Sequence, residues 1–345
     1  MSTFSFTAPT ITPSHELDEY NALSASEKQA LREDLYGRSS AATDEEDQSY
    51  VDSESVRSLP TPEGVAILLV EMEHALLEAV SEPNGEAYRE AMRVAPSVVQ
   101  SESPAYGFLR HTNYDPLSAA ESLASYWALR RLLFGAERAY LPMTLQGAML
   151  DRGSSSKEKE YEDIATLEKR TVFVMDKDQH GRPVLFWDRI RSSKRFACRN
   201  SVLRCFFYCW QCISTLPEAQ KHGCVILMNM KGYDIYEHFD RILSKRAFDI
   251  DRRMPIKVRA IHLCTGSGKS VTELILPVLK HMAGPELRLR TKIHAGSKKE
   301  ICDGFAAFGL RRVHVDAICH GSFHNNETLR AWLHQRRALE EIATP

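Results

Sequence analysis

The sequence predicts an α/β fold in which a helical N-terminal lobe precedes an α/β domain with a mostly parallel sheet. Three observations carry this. From about Thr171 onward, short apolar runs alternate with amphipathic helical stretches, the pattern of a parallel sheet joined by right-handed crossovers. The runs GCVILMN and Ile256 to Leu263 are apolar enough to be buried on both faces, as strands of parallel sheets are. Before Thr171 the apolar residues recur at helical spacing instead.

Residues 1–60 are rich in Ser, Thr, Asp and Glu, with TDEEDQSYVDSES as the extreme, and are predicted to be a disordered acidic tail. Thr61-Pro62-Glu63 supplies an N-cap, a first-turn proline and an early acid for the helix AILLVEMEHALLEAV. Helices follow from Pro104 to His111 and from Asp115-Pro116 through Ala119, Leu123, Tyr126, Trp127, Arg130 and Phe134 to Gly135. Residues 61–150 are thus a helical lobe, and residues 151–170, opening with DRGSSSKEKEYED, read as a linker. Over 171–323, Thr171 to Met175 and Arg182 to Trp187 flank DKDQHG as a hairpin. Then come the helix FACRNSVLRCFFYCWQCISTL, the strand GCVILMN, the helix YDIYEHFDRILSKRAF and the strand Ile256 to Leu263. The helix after it collects Val271, Leu274, Ile275, Val278 and Met282 on one face. A short strand near Lys292 to His294 and a helix near Lys299 to Phe308 complete the domain, and residues 324–345 hold a charged C-terminal helix.

The chain has 345 residues and a formal charge of −2 with both signs mixed, so nothing marks it as a nucleic-acid binder. MSTFSFTAPT lacks the basic and apolar regions of a signal peptide, and no apolar run is long enough to span a bilayer. Eight cysteines without a secretion signal are the usage of a reducing, cytoplasmic compartment.

The loop CTGSGKS resembles half a phosphate-binding loop. The position five before Gly268 is Leu263, a strand residue, where that motif needs its first glycine. Ser270 and Glu273 also fit a helix capping box. Nucleotide binding through Lys269 and Ser270 is therefore kept only as an alternative.

In the order they occur, YGFLRHTNYDP, YWALRRLLFG, GRPVLFWDRI, GCVILMNMKG, MPIKVRAIHL, ILPVLKHM and RTKIHAGS resemble the CRAL-TRIO family of lipid-exchange proteins, over about Pro104 to Ser322. The resemblance implies a helical lobe packed on an α/β domain whose sheet floors an apolar pocket. It also makes Val271 to Met282 a mobile gate helix. Thr112, Asn113 and Ile256 stand where phosphatidylinositol-binding members are implied to carry two basic and one acidic residue. Only Lys292 keeps the type of a headgroup contact, so an inositol-lipid pocket is disfavoured.

Cys205, Cys209 and Cys212 lie at i, i+4, i+7 on an apolar helix and are read as core or pocket wall, because a second CxxC or a paired histidine is missing for zinc. His320 and His324 lack a third ligand, so no metal and no cofactor is predicted. The basic run Arg189, Arg191, Lys194, Arg195 is the candidate for docking on anionic lipid. No nucleophile, base and orienting group fall at recognisable spacing, so no enzyme is predicted.

The resulting reading is a non-enzymatic binder of one lipid or isoprenoid-like ligand, transiently at membranes. Its predicted ligand contacts are Phe206, Trp210, Ile213, Ile226, Met228, Ile261, Leu263, Val271, Leu274, Ile275, Val278, Met282 and Lys292. The alternative is a protein-interaction scaffold with a collapsed pocket.

Overall fold

The computed structural model describes residues 12–37, 60–78, 80–150, 162–266, 276–319 and 322–343. The strands β1 (Val172–Met175), β2 (Val184–Asp188), β3 (Cys224–Met230), β4 (Val258–Thr265) and β5 (Thr291–His294) form one sheet in the order β1-β2-β3-β4-β5. β1 and β2 are the predicted antiparallel hairpin, and β2 to β5 run parallel. The central strands are buried nearly throughout, which is why they read as continuous apolar runs and not as alternating ones.

Ahead of the sheet stand α1 (Pro13–Ala22), α2 (Ala25–Tyr36), α3 (Pro62–Glu78), α4 (Asn84–Val94), α5 (Pro96–Glu102), α6 (Ala105–His111) and α7 (Pro116–Arg138). Gly135 breaks α7 with φ 70, a conformation that favours glycine, and one more turn follows it. The lobe is built on α7. Its Trp127 is fully buried, donates Nε1–H to Ser103 Oγ at 3.0 Å, and lies under the Arg130 guanidinium, which pairs with Glu102 at 2.5 Å.

Three crossovers join the parallel strands: α9 (Arg199–Ser214) with α10 (Pro217–His222), α11 (Ile235–His238) with α12 (Arg241–Asp251), and α13 (Leu276–Leu289). Because neighbouring strands follow one another in sequence, right-handed connections put these helices on the same face. α14 (Lys298–Ala306), α15 (Arg312–Cys319) and α16 (Ser322–Ala343) end the chain. α14 covers the opposite face, and α16 lies along β1.

Lobe and sheet domain meet at α9. Tyr126 Oη donates to Gln211 Oε1 at 2.9 Å, and the buried Asp163 carboxylate on α8 (Asp163–Glu168) accepts from both Arg138 and Arg204. Among the described residues no helix is long and apolar enough to cross a membrane.

Several expectations change. Residues 12–37 were read as part of a disordered tail, but they fold into α1 and α2, and Asp34 is buried against the sheet domain. TDEEDQSYVDSES lies outside the described residues. The predicted linker contains α8, while 151–161 lies outside the described residues. The strand predicted over Ile256 to Leu263 runs over Val258–Thr265. Of the helix predicted from Val271, the described part starts at Leu276 and bends at Gly284, φ 80, before Pro285.

Candidate functional site

Pairing register sorts the sheet into two faces, since residues directly opposite on neighbouring strands project to the same side. Leu185 pairs with Ile226 and Ile226 with Ile261; Trp187 pairs with Met228 and Met228 with Leu263. These make two apolar rows on one face, each member at most 2% exposed. The helical layer above begins with α9, whose Phe206, Trp210 and Ile213 share one stripe. The Phe206 ring lies 4.8 Å from Trp187 and 6.3 Å from Trp210. α13 packs on β4, β5 and α12, with Val278 buried and Met282 half-buried.

The structure therefore brings together Phe206, Trp210, Ile213, Ile226, Met228, Ile261 and Leu263 as one apolar layer. Val271, Leu274 and Ile275 lie outside the described residues, as do Ser267 to Ser270 of the phosphate-loop-like segment. Lys292 is displaced from the group: it pairs with His262, so it belongs to the other face of the sheet. Leu185 and Trp187 were missed. Their two-residue spacing along VLFWD marks them as sharing a side, but nothing in the letters says which side meets α9.

The docking cluster also changes. Arg189 is only 1% exposed, so it cannot meet a membrane surface. Arg191 is half-buried, donates to the Lys169 carbonyl at 3.2 Å, and leans towards Asp188. Lys194 and Arg195 remain exposed, with Arg195 paired to Glu237 at 2.8 Å. A cluster that looks continuous in sequence becomes a buried residue, a tethered one and two on the surface.

Polar groups sit at the margin of the apolar layer. The Asp251 carboxyl, at the end of α12, is pushed up to about 8 by burial, an effect that Trp210 beside it and then Arg252 only partly offset. Burial likewise raises the thiols of Cys209, well above the usual range, and Cys212, to about 11. Among the described residues no three His, Cys, Asp or Glu side chains converge as metal ligands; His320 and His324 lie outside those whose side chains are described.

A cavity of about 540 Å³ opens between β1, α9 and α16, lined by Val174, Met175, Cys212, Leu216, Trp332 and Leu339 among others. None of the predicted ligand contacts lines it.

The family described as divergent CRAL/TRIO domain matches residues 181–328, the stretch that runs from the turn before β2 into α16. Compared with curated proteins, the chain finds no match.

Proposed function

We propose, taking membership of the CRAL-TRIO family over residues 181–328 as the premise, that the chain binds one apolar or amphiphilic small molecule between the apolar sheet face and the layer of α9, α12 and α13. It exchanges or presents that molecule at membranes and does not transform it. The observation that carries this reading is the apolar face itself. Two rows of carbon-rich side chains, continued by the α9 stripe, offer each buried methylene of a ligand about 0.8 kcal/mol.

α13 is the part that moves. What ties its outer side is polar: Lys280 to Glu16 and Arg288 to Glu19 on α1, and Arg252 of α12 donating to the Met282 carbonyl at 2.6 Å. Glu16 and Glu19 keep partial access to water, so these ties can pass to hydration as α13 lifts, whereas the apolar side around Val278 needs lipid or ligand to face once it leaves the sheet. The bend at Gly284 is the natural hinge.

Native mass spectrometry of the purified chain, followed by solvent extraction, tests the reading. A stoichiometric lipid or isoprenoid supports it, and a chain that stays ligand-free after incubation with mixed liposomes overturns it.

A second reading, a protein-interaction scaffold, has its own observation. On α3 the side chains of Ile67, Val70 and Leu77 are each at least 60% exposed and share one stripe, with Glu73 along one edge and Glu71 and Glu78 along the other. An apolar stripe with acidic margins suits a basic amphipathic partner helix.

A further inference from the structure

Arg189 follows β2 directly, and its amide donates to the Asn229 carbonyl at 3.0 Å, continuing the parallel ladder by one step. The two-residue alternation that puts Leu185 and Trp187 on the apolar face puts Arg189 there as well. Met230 and Thr265, paired with each other, occupy the same position on β3 and β4. A third row, Arg189–Met230–Thr265, thus continues the two apolar rows to the carboxyl edge of the sheet.

The guanidinium stacks on the Trp187 ring at 4.3 Å and donates through one nitrogen, Nη2, to Ser244 Oγ at 2.8 Å. Among the described residues its Nε and Nη1 make no well-formed hydrogen bond, though the Tyr233 hydroxyl lies against the group. The carboxylates close in sequence or space are engaged elsewhere. Asp188 accepts from the amides of Ile190 and Arg191 and from the Asn229 side chain. Asp240 accepts from Arg199 and from the Leu243 amide. That hydroxyl is itself buried without a well-formed hydrogen bond; burial raises its pKa, and the charge and contact of Arg189 partly restore it. The Thr265 hydroxyl, two strands away with Met230 between, is also buried without a partner among the described residues.

A cation taken out of water with no counter-charge is strongly destabilising, and a protein that keeps one has a negative group to put there. Guanidinium is the weakly hydrated cation suited to a buried oxyanion, and hydroxyls complete such a site as donors. The carboxyl edge of parallel strands is also where open α/β sheets receive ligands.

We infer that Arg189, with the Tyr233 hydroxyl beside it, is a buried receptor for an oxyanion, the carboxylate or phosphate head of an amphiphile whose apolar tail lies over the rows of Trp187 and Leu185. This rests on the carrier reading only for the tail; the anion site is defined by its own donors. The head enters as α13 moves aside, and it supplies the charge that Arg189 lacks.

The test compares the full chain with Arg189→Met, which keeps the packing on Trp187 and removes the charge, against oleate, oleyl alcohol and inorganic phosphate. The wild-type chain should bind oleate more tightly than oleyl alcohol by on the order of tenfold, and Arg189→Met should bind the two alike. If both proteins bind the two amphiphiles without distinguishing them, the carrier reading stands and the anion site is overturned. If neither amphiphile binds but phosphate raises the melting temperature of wild type and not of Arg189→Met, the anion site stands and the lipid reading fails. Identical responses of the two proteins to all three probes overturn the site. Should Arg189→Met fail to fold, Tyr233→Phe takes its place, with oleate binding weakened and oleyl alcohol binding unchanged; oleate binding equal to wild type overturns the site.

Discussion

The two faces of the sheet treat their buried charges in opposite ways. On the face under α14, the buried charge is paired and the buried histidines are neutral, although His262 Nε2 has no hydrogen-bond partner among the described residues. The ring nitrogens of His262 and His294 approach to 2.9 Å, both held neutral because burial depresses their pKa, His294 to about 4. His294 packs edge-on against Phe305, and Phe308 stacks on Tyr36 at the end of α2. Beyond them the Asp34 carboxylate collects Arg259, Arg290 at 2.7 Å and Lys257 at 3.6 Å, while Arg182 donates to its carbonyl. On the face under α9 and α12, buried groups go unmatched: among the described residues Arg189 has no carboxylate paired to it, and Asp251 Oδ1 and Trp210 Nε1 lie near each other without a well-formed hydrogen bond. The difference separates a face whose charges are closed by protein partners from one where a buried cation has none among the described residues, which is the contrast that the proposed ligand site draws on.

The largest test of this comparison is Asp34→Ala. It strands several cations, and although Arg259 and Lys257 are partly hydrated, the loss should be about 3 kcal/mol in urea unfolding. An effect below 1 kcal/mol would show that α2 is a surface ornament and would remove the contrast between the faces. Burial works against the Asp34 carboxylate, but the combined charges of Arg259, Lys257 and Arg290 hold its pKa below the usual value. Its contribution is therefore complete above the unfolded pKa near 4 and is lost as pH falls through the lower folded value.

Ile226→Ala probes the apolar face. In a filled core the cavity costs about 3 kcal/mol. In a ligand face, part of that loss should return when oleate or another acyl ligand is added before unfolding, and no recovery would class the face with ordinary core.

Asp251→Asn carries the opposite sign. The folded pKa near 8 lies above the unfolded value, so between pH 4 and pH 8 the unfolded chain gives up the proton that the native state keeps. Stability should fall across that window in wild type and stay flatter in the variant, which should be roughly 2 kcal/mol more stable at pH 7. Thermal unfolding against pH reads both Asp34 and Asp251 in one experiment.

The smallest effect belongs to the ties between α1 and α13. The double variant Glu16→Gln, Glu19→Gln should cost about 1 kcal/mol in total. It should raise amide exchange in residues 276–289 and speed release of any bound amphiphile a few-fold. Unchanged exchange there would mean that α1 does not restrain α13.

Much of the architecture was legible because it depends on local rules. DKDQHG between two β-rich runs is a turn whatever surrounds it, and GCVILMN has nowhere to go but a buried strand. The grouping of Phe206 with Trp210 and Ile213 follows from helical spacing alone. Legibility stops where partners are far apart in sequence. α1 and α2 are polar and short, so composition reads them as tail; they are held by Glu16, Glu19 and Asp34 pairing with residues beyond Lys257, across more than two hundred positions. Lys292 looked like a headgroup contact, and one step of register turned it to the other face.

By itself, then, the sequence determined the order of strands and helices, the helical lobe ahead of the sheet, and the stripes that each element must bury, because periodicity and turn chemistry act between neighbours. Only the tertiary structure decided which stripes meet and which charges are paired. Arg189 is the clearest instance: in a run of basic residues it reads as solvated, and it is the parity of β2 together with the layer above Trp187 that takes it out of water, because burial and Coulomb partners belong to the three-dimensional neighbourhood and not to the letter.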